Sequence, residues 1–285
     1  MSALEARGVH LAAGGRSLVE AVDLSVAAGE MVVVAGPNGA GKSTLLRLLA
    51  GEARPTRGHV LYGGADIADL PPWRLALVRA VLPQSAHVAF PFRVHEVVQL
   101  GIDGVGRKLP RAARADIMTG ALEAGDVLHL RDRLYQTLSG GERQRVQFAR
   151  VLGQLRAGMR TADAASAPIL LLDEPVSSLD LKHQSALLRA AHRLSREGVA
   201  VLAILHDLNL AAAFGDRLVV LNRGRVAARG TPVEVLTDAL LHTVFEVPFR
   251  VGAVPPAPVP FVLPFEDAPP AEKAAMSHRQ PSRAD

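Results

Sequence analysis

The residues of this sequence best suited to chemistry begin at Gly36. Gly36-Pro37-Asn38-Gly39-Ala40-Gly41-Lys42-Ser43, with Thr44 next, keeps the spacing G-x-x-x-x-G-K-[ST]. Glycines at those places let the backbone turn its N–H groups inward around an anion, and a helix beginning at the end of the loop adds its partial positive charge. Lys42 can then reach the outer phosphates of a nucleotide while the Ser43 hydroxyl meets Mg²⁺. A glycine turn before an ordinary core helix is the plainer alternative.

A second pair stands at Asp173-Glu174, directly after the apolar run Ile169-Leu170-Leu171-Leu172. A carboxylate at such a strand end is placed to hold Mg²⁺ in a phosphate-transferring site. Successive residues beyond a strand point in different directions, so Glu174 can serve as the base that aligns an attacking water. Alone, Asp-Glu-Pro reads equally well as a strand exit; combined with the loop at 36–44 it reads as hydrolysis.

These residues need elements that carry them to one place. Leu4 to Val34 is strand-like, alternating over Ala21 to Val26 and ending in the solid apolar run Met31-Val32-Val33-Val34. After the glycines, Lys42 to Leu49 has helical spacing, giving strand, loop, helix. Further buried strands are Ile169 to Leu172, Val199 to Leu205 and Leu218 to Leu221. Continuous apolar runs separated by helical segments predict an α/β fold with a parallel sheet covered on both faces. Between them, roughly Arg93 to Gln154 has helical spacing and reads as an inserted helical subdomain, about 85–155. Residues 156–168 lack periodicity and read as a flexible surface loop. From about residue 250 to 285, Pro255, Pro256, Pro258, Pro260, Pro264, Pro269 and Pro270 forbid regular structure and predict a disordered tail.

Composition narrows the class. A chain of 285 residues, 49% hydrophobic and 21% charged, is globular rather than fibrous or mostly disordered. Its apolar runs fall well short of the roughly 20 residues needed to cross a bilayer, and no signal segment opens it. With no cysteine, thiolate metal sites and nucleophiles are excluded, and a reducing compartment fits. Basic residues exceed acidic ones by 32 to 28, but the arginines are scattered among carboxylates. Footprints on nucleic acid need clustering, so no nucleic-acid partner is expected.

With these residues in place, the sequence resembles the ATP-binding subunits of ATP-binding-cassette (ABC) transporters over about residues 3–247. Leu138-Ser139-Gly140-Gly141-Glu142, followed by Arg143-Gln144-Arg145, looks like the signature motif of that family; Gln84 matches its Q-loop glutamine, Ser177 to Asp180 its D-loop, and His206 its switch histidine. The other nine histidines read as ordinary structural residues. The resemblance implies a P-loop NTPase core of mixed sheet with an N-terminal antiparallel β subdomain and an inserted α-helical subdomain. It implies an ATP hydrolase that uses Mg²⁺. Glu174 and His206 would be catalytic, Ser43, Gln84 and Asp173 would hold the metal, and ATP would be bound by residues 36–44, Gln84, Ser139, Gly140, Gly141 and Asp180.

It also implies a head-to-tail homodimer with ATP at both seams, docked on two transmembrane permease subunits at the cytoplasmic face of a bacterial inner membrane and served indirectly by a periplasmic binding protein. Within the family, Ala89-Phe90-Pro91-Phe92, Val94 to Val98 and Leu205 to Ala211 are most like importers of haem, ferric siderophores and cobalamin, haemin importers above all. Phe90 and Phe92 read equally as anchors for a permease helix or as helical core. A soluble cassette acting on ribosomes, DNA or cluster assembly would keep the same ATP motifs, and a P-loop kinase would keep only the first loop. One departure stands out. Family members usually stack an aromatic ring near the chain start on adenine, and Leu11 to Arg16 contains none, which predicts a weaker preference for ATP over GTP.

Overall fold

The computed structural model describes residues 2–86, 88–161, 167–256 and 258–263. The described residues up to Ala253 form one compact unit, and the described residues from Val254 lie outside it. In that unit, two long strands, β1 (Ser2–Ala13) and β2 (Arg16–Ala27), pair antiparallel. β4 (Arg57–Tyr62) and the short β5 (Ala65–Asp66) extend them into a four-stranded antiparallel sheet ordered β2-β1-β4-β5. β3 (Met31–Ala35) lies in the larger sheet with β6 (Arg79–Leu82), β7 (Ile169–Asp173), β8 (Ala200–Ile204), β9 (Arg217–Asn222) and β10 (Arg225–Gly230). Its order is β10-β9-β3-β8-β7-β6, parallel throughout except for the β9–β10 hairpin.

The helices are α1 (Lys42–Leu49), α2 (Pro72–Val78), α3 (Val94–Val105), α4 (Arg111–Ala124), α5 (Gly140–Thr161), α6 (Leu181–Arg196), α7 (Leu208–Phe214), α8 (Pro232–Val235) and α9 (Asp238–Val244). Period-2 alternation in the fully buried strands sorts them between two cores. Val32, Val34, Leu171, Leu202 and Ile204 face α1 and the antiparallel sheet. Met31, Val33, Leu170, Leu172, Val201 and Ala203 face the other way, onto a core shared with α3, α4, α5 and α6. The predicted parallel sheet covered on both faces is therefore present, with an antiparallel edge strand added.

One expectation is corrected. Residues 156–161, read from sequence as loop, are the last turns of α5. Ala157 and Gly158 are buried, and a Cβ on Gly158 would stand 2.2 Å from the Leu77 carbonyl oxygen. The small residues that looked like a breaker are contact positions that let α5 pass close to α2. Gln154 holds the same contact, its amide Nε2 donating to the Ala76 and Arg79 carbonyls at 3.1 Å each. Of the rest of the expected loop, residues 162–166 lie outside the described residues, while Ala167 and Pro168 are described and belong to no helix or strand. In the proline-rich stretch no helix or strand occurs among the described residues from 250 to 263; the remainder of the expected tail, 264–285, lies outside them.

Candidate functional site

The parallel order fixes where the chemistry gathers. β9, β3, β8, β7 and β6 lie side by side, so the segments leaving β3, β8, β7 and β6 emerge along one edge, where ligands of open α/β sheets bind. Those segments carry Gly36, His206, Asp173-Glu174 and Gln84 in that spatial order.

The glycine loop is shaped by close approach. At Gly36 (φ +146°) a Cβ would meet the Leu221 carbonyl oxygen at 2.2 Å, and at Gly41 (φ +100°) the Leu18 carbonyl oxygen at 2.5 Å. No L side chain fits either place. Gly41 caps α1, whose first residue, Lys42, turns back into its own loop, Nζ donating to the Gly36 carbonyl at 2.8 Å and the Pro37 carbonyl at 3.0 Å. Lys42 is only 6% exposed, and burial lowers its pKa against the opposing pull of Glu174 and Asp173. Ser43 Oγ donates to Asp173 Oδ1 at 3.2 Å. Asp173 is buried, and that burial raises its pKa.

Glu174 holds φ +47°, a conformation that non-glycine residues seldom adopt and that clusters at functional sites. It is gripped on both oxygens. Gln84 Nε2 donates to Oε2 at 2.8 Å, and His206 Nε2 lies 2.5 Å from Oε1. Asn38 to Thr44, Glu174 and His206 line one cavity of about 590 Å³. A triphosphate fits the amides and buried cation at the head of α1, and a carboxylate pinned at the same mouth is placed to accept a proton from water.

The remaining predicted residues lie elsewhere. Gln84 and Asp173 touch this cavity's residues from outside, through Glu174 and Ser43. Ser139, Gly140 and Gly141 do not line it; they open α5. Ser139 and Glu142 cap that helix reciprocally, the Ser139 amide donating to Glu142 Oε2 at 2.7 Å and the Glu142 amide to Ser139 Oγ at 3.3 Å. Asp180 caps α6, accepting from the His183 amide at 2.9 Å, and this bond above all lowers its pKa. The D-loop packs on the signature segment: a Cβ on Gly141 would lie 3.2 Å from the Ser178 carbonyl oxygen, and Gln144 Nε2 donates to the Pro175 carbonyl at 3.2 Å. Of the paired phenylalanines, Phe92 packs on the core while Phe90 is 68% exposed.

Sequence reasoning named Arg16 only as the end of the ring-less stretch Leu11 to Arg16 and gave no site role to it or to Ser17, Leu18, Arg223 and Gly224, all of which line the cavity. No motif marks them. They reach it because β2 and the β9–β10 turn abut the glycine loop, the Gly224 amide donating to the Ala40 carbonyl at 2.9 Å.

The family described as ABC transporter matches residues 19–177, more than half of the chain. The chain belongs to the ABC transporter family. This cassette is 45% identical to a hemin import ATP-binding protein HmuV of Rhizobium meliloti (strain 1021), over 92% of this chain and 98% of the relative. It is 49% identical to a protein of the same description from Rhodopseudomonas palustris (strain ATCC BAA-98 / CGA009), over 92% of this chain and 94% of the relative. A solved dimeric structure of a bacterial ABC transporter cassette superposes with a TM-score of 0.69 at 25% identity, over 80% of this chain and 98% of that one. The cassette is an ATP-hydrolysing transporter subunit with the ABC-type P-loop fold.

Proposed function

We propose that this cassette is the ATP-hydrolysing, energy-coupling subunit of an importer for haemin. The observation that carries the reading is the Glu174 carboxylate held between Gln84 and His206 at the mouth of the glycine-loop cavity, in a chain whose relatives at 45% and 49% identity are hemin import ATP-binding proteins.

ATP lies with its phosphates on Asn38 to Thr44. Lys42, desolvated and already facing two carbonyls, exchanges those partners for phosphate oxygens as the nucleotide enters. Glu174 takes a proton from water as the water oxygen attacks the terminal phosphorus and the bond to the ADP oxygen breaks. His206, hydrogen-bonded to Glu174, orients that carboxylate and contacts the terminal phosphate as ADP leaves. Mg²⁺ fits the oxygen donors present, a hydroxyl and a carboxylate 3.2 Å apart at Ser43 and Asp173. Among the described residues no group of three or more His, Cys, Asp or Glu is arranged to hold a metal ion by itself, so such an ion would draw its other oxygens from phosphate and water. When bound it would neutralise phosphate charge; Gln84 would join from the side of Glu174.

Two cassettes face each other, each offering Ser139, Gly140, Gly141 and Asp180 to the nucleotide on the other, with two permease subunits beyond. Residues 3–247 form the cassette, with about 85–155 as its helical part and segment 85–105 receiving the permease. The complex works at the cytoplasmic face of the inner membrane and receives haemin through a periplasmic haem-binding protein.

The test is reconstitution with the permease in liposomes. Haemin presented by its binding protein should raise ATP turnover severalfold, and a ferric siderophore or cobalamin should not. Stimulation by either of those, with none by haemin, would reassign the cargo; a cassette that hydrolyses ATP but never co-purifies with a permease would sink the transporter reading.

A further inference from the structure

Two sets of residues of different chemistry line the nucleotide cavity: Lys42, Glu174 and His206, the last two in contact with each other, and Arg16, Ser17 and Leu18 at the start of β2 with Arg223-Gly224 in the β9–β10 turn. Backbone contacts fix the second set to the phosphate loop. Gly41 abuts the Leu18 carbonyl and the Gly224 Cα, and the Gly224 carbonyl in turn accepts the Glu20 amide at 2.8 Å. The two arginines are thus carried on backbone that is bonded to, or pressed against, the loop itself.

Neither guanidinium has an ion-pair or side-chain hydrogen-bond partner among the described residues, in contrast with Arg225 two positions on, which pairs with Glu20. Arg223 holds φ +48°, a left-handed conformation unfavourable to a long side chain. No aromatic residue lines the cavity.

A nucleotide whose last phosphate meets Glu174 and whose other phosphates run along Lys42 and Gly41 brings its ribose and base to the arginine-bearing segments packed on Gly41. We infer that Arg16 and Arg223 are the base-holding residues of this site, their guanidinium planes stacking on the purine face where a ring would otherwise serve. Every purine presents such a face, so stacking of this kind does not read the base edge. The cassette accordingly accepts adenine and guanine nucleotides almost alike. This rests on the cavity being the nucleotide site proposed above.

The test is calorimetric titration of the full chain with ADP, GDP and pyrophosphate, which report on the base without turnover. Wild type should bind ADP and GDP within about threefold of each other. Arg16→Ala, and Arg223→Asn, which tolerates the left-handed turn, should each weaken both nucleotides about fivefold or more and leave pyrophosphate within about twofold. Arg16→Lys keeps charge without a plane and should behave like Arg16→Ala; Arg16→Trp supplies a plane without charge and should hold ADP near the wild-type value. Equal losses for ADP and pyrophosphate, with Arg16→Lys restoring both, would show the arginines serving phosphate charge and overturn the inference. So would a wild-type preference for ADP over GDP above about thirtyfold, which needs edge recognition. If the wild-type chain bound neither pyrophosphate nor ADP, the nucleotide-site reading itself would fall, and this inference with it.

Discussion

The glycine loop at 36–44 and the signature segment at 139–141 both end in a helix start with free amides, yet they are finished differently. Around Lys42 the chain closes on itself: the lysine is tied to two carbonyls, Ser43 to Asp173, and Glu174 to Gln84 and His206. At Ser139 the chain stops halfway. The capping box satisfies the amides of Ser139 and Glu142, while those of Gly140 and Gly141 find no acceptor among the described residues. Ser139 and Gly140 are exposed, and a Cβ on Gly140 would meet nothing within 4 Å. A helix start leaves orphan donors that must be met by caps, water or a ligand. The first region is a closed pocket; the second leaves two donors that water or an acceptor from outside the chain can meet, as the composite site proposed above requires.

The largest break in this comparison comes from the self-contained half. Glu174→Gln keeps the size of the side chain and can still bond Gln84 and His206, but it cannot take a proton. ATP binding should persist within a few-fold while turnover falls on the order of 10² to 10⁴. Phosphate-release rates within about threefold of wild type would remove Glu174 from the role of base.

A smaller effect should come from Ser139→Ala, which tests whether the second region is truly separate. In the isolated chain, nucleotide affinity should not change, because Ser139 does not line the cavity. Loss of the N-cap oxygen should cost about 1 kcal/mol of stability, and turnover of the assembled transporter should fall roughly tenfold to hundredfold. Ser139→Thr restores the cap. If it rescued the melting temperature but not turnover, the hydroxyl would have a role beyond capping; full rescue of both would reduce Ser139 to a helix cap and collapse the two-region contrast.

The two regions also differ in how far sequence alone reveals them. The glycine loop is legible because its constraints are local: Gly36 and Gly41 are forced by carbonyls a side chain would strike, and Lys42 and Ser43 follow within one turn. The strand runs were legible because fully buried parallel strands leave unbroken apolar stretches, and their edge-sharing order follows from pairing such strands around β3. What escaped is contact between distant segments. Arg16 and Arg223 lie 207 positions apart in the chain and meet at the cavity only because the β9–β10 turn docks beside β2. The end of α5 escaped for a related reason: Ala157 and Gly158 look like breakers until α2 lies against them. Asp180 was legible as a motif residue, but its occupation as the cap of α6 depends on where that helix begins.

The smallest expected effect bears on why the signature helix keeps two amides free rather than four. Glu142 meets the Ser139 amide, and that bond, first among its causes, holds the Glu142 carboxyl below the usual carboxylate range, helped by Arg133 and Arg145 and opposed by burial. A carboxyl whose folded pKa lies below its unfolded value stabilises fully above the unfolded value and loses that contribution as pH falls through the folded one. Glu142→Gln keeps a capping-box side chain without the charge, so the two proteins should differ by only about 1–2 °C in melting temperature at pH 7. The gap should narrow as pH falls past the unfolded carboxyl value and close only at an acid pH below the lower folded value of Glu142. An equal gap at both pH values would mean that the charge contributes nothing to this cap. A reversed gap at pH 7 would mean that a negative charge beside Ser139 is tolerated at a cost to stability, as expected if the free amides of Gly140 and Gly141 are kept open for the more strongly charged phosphate of a second copy.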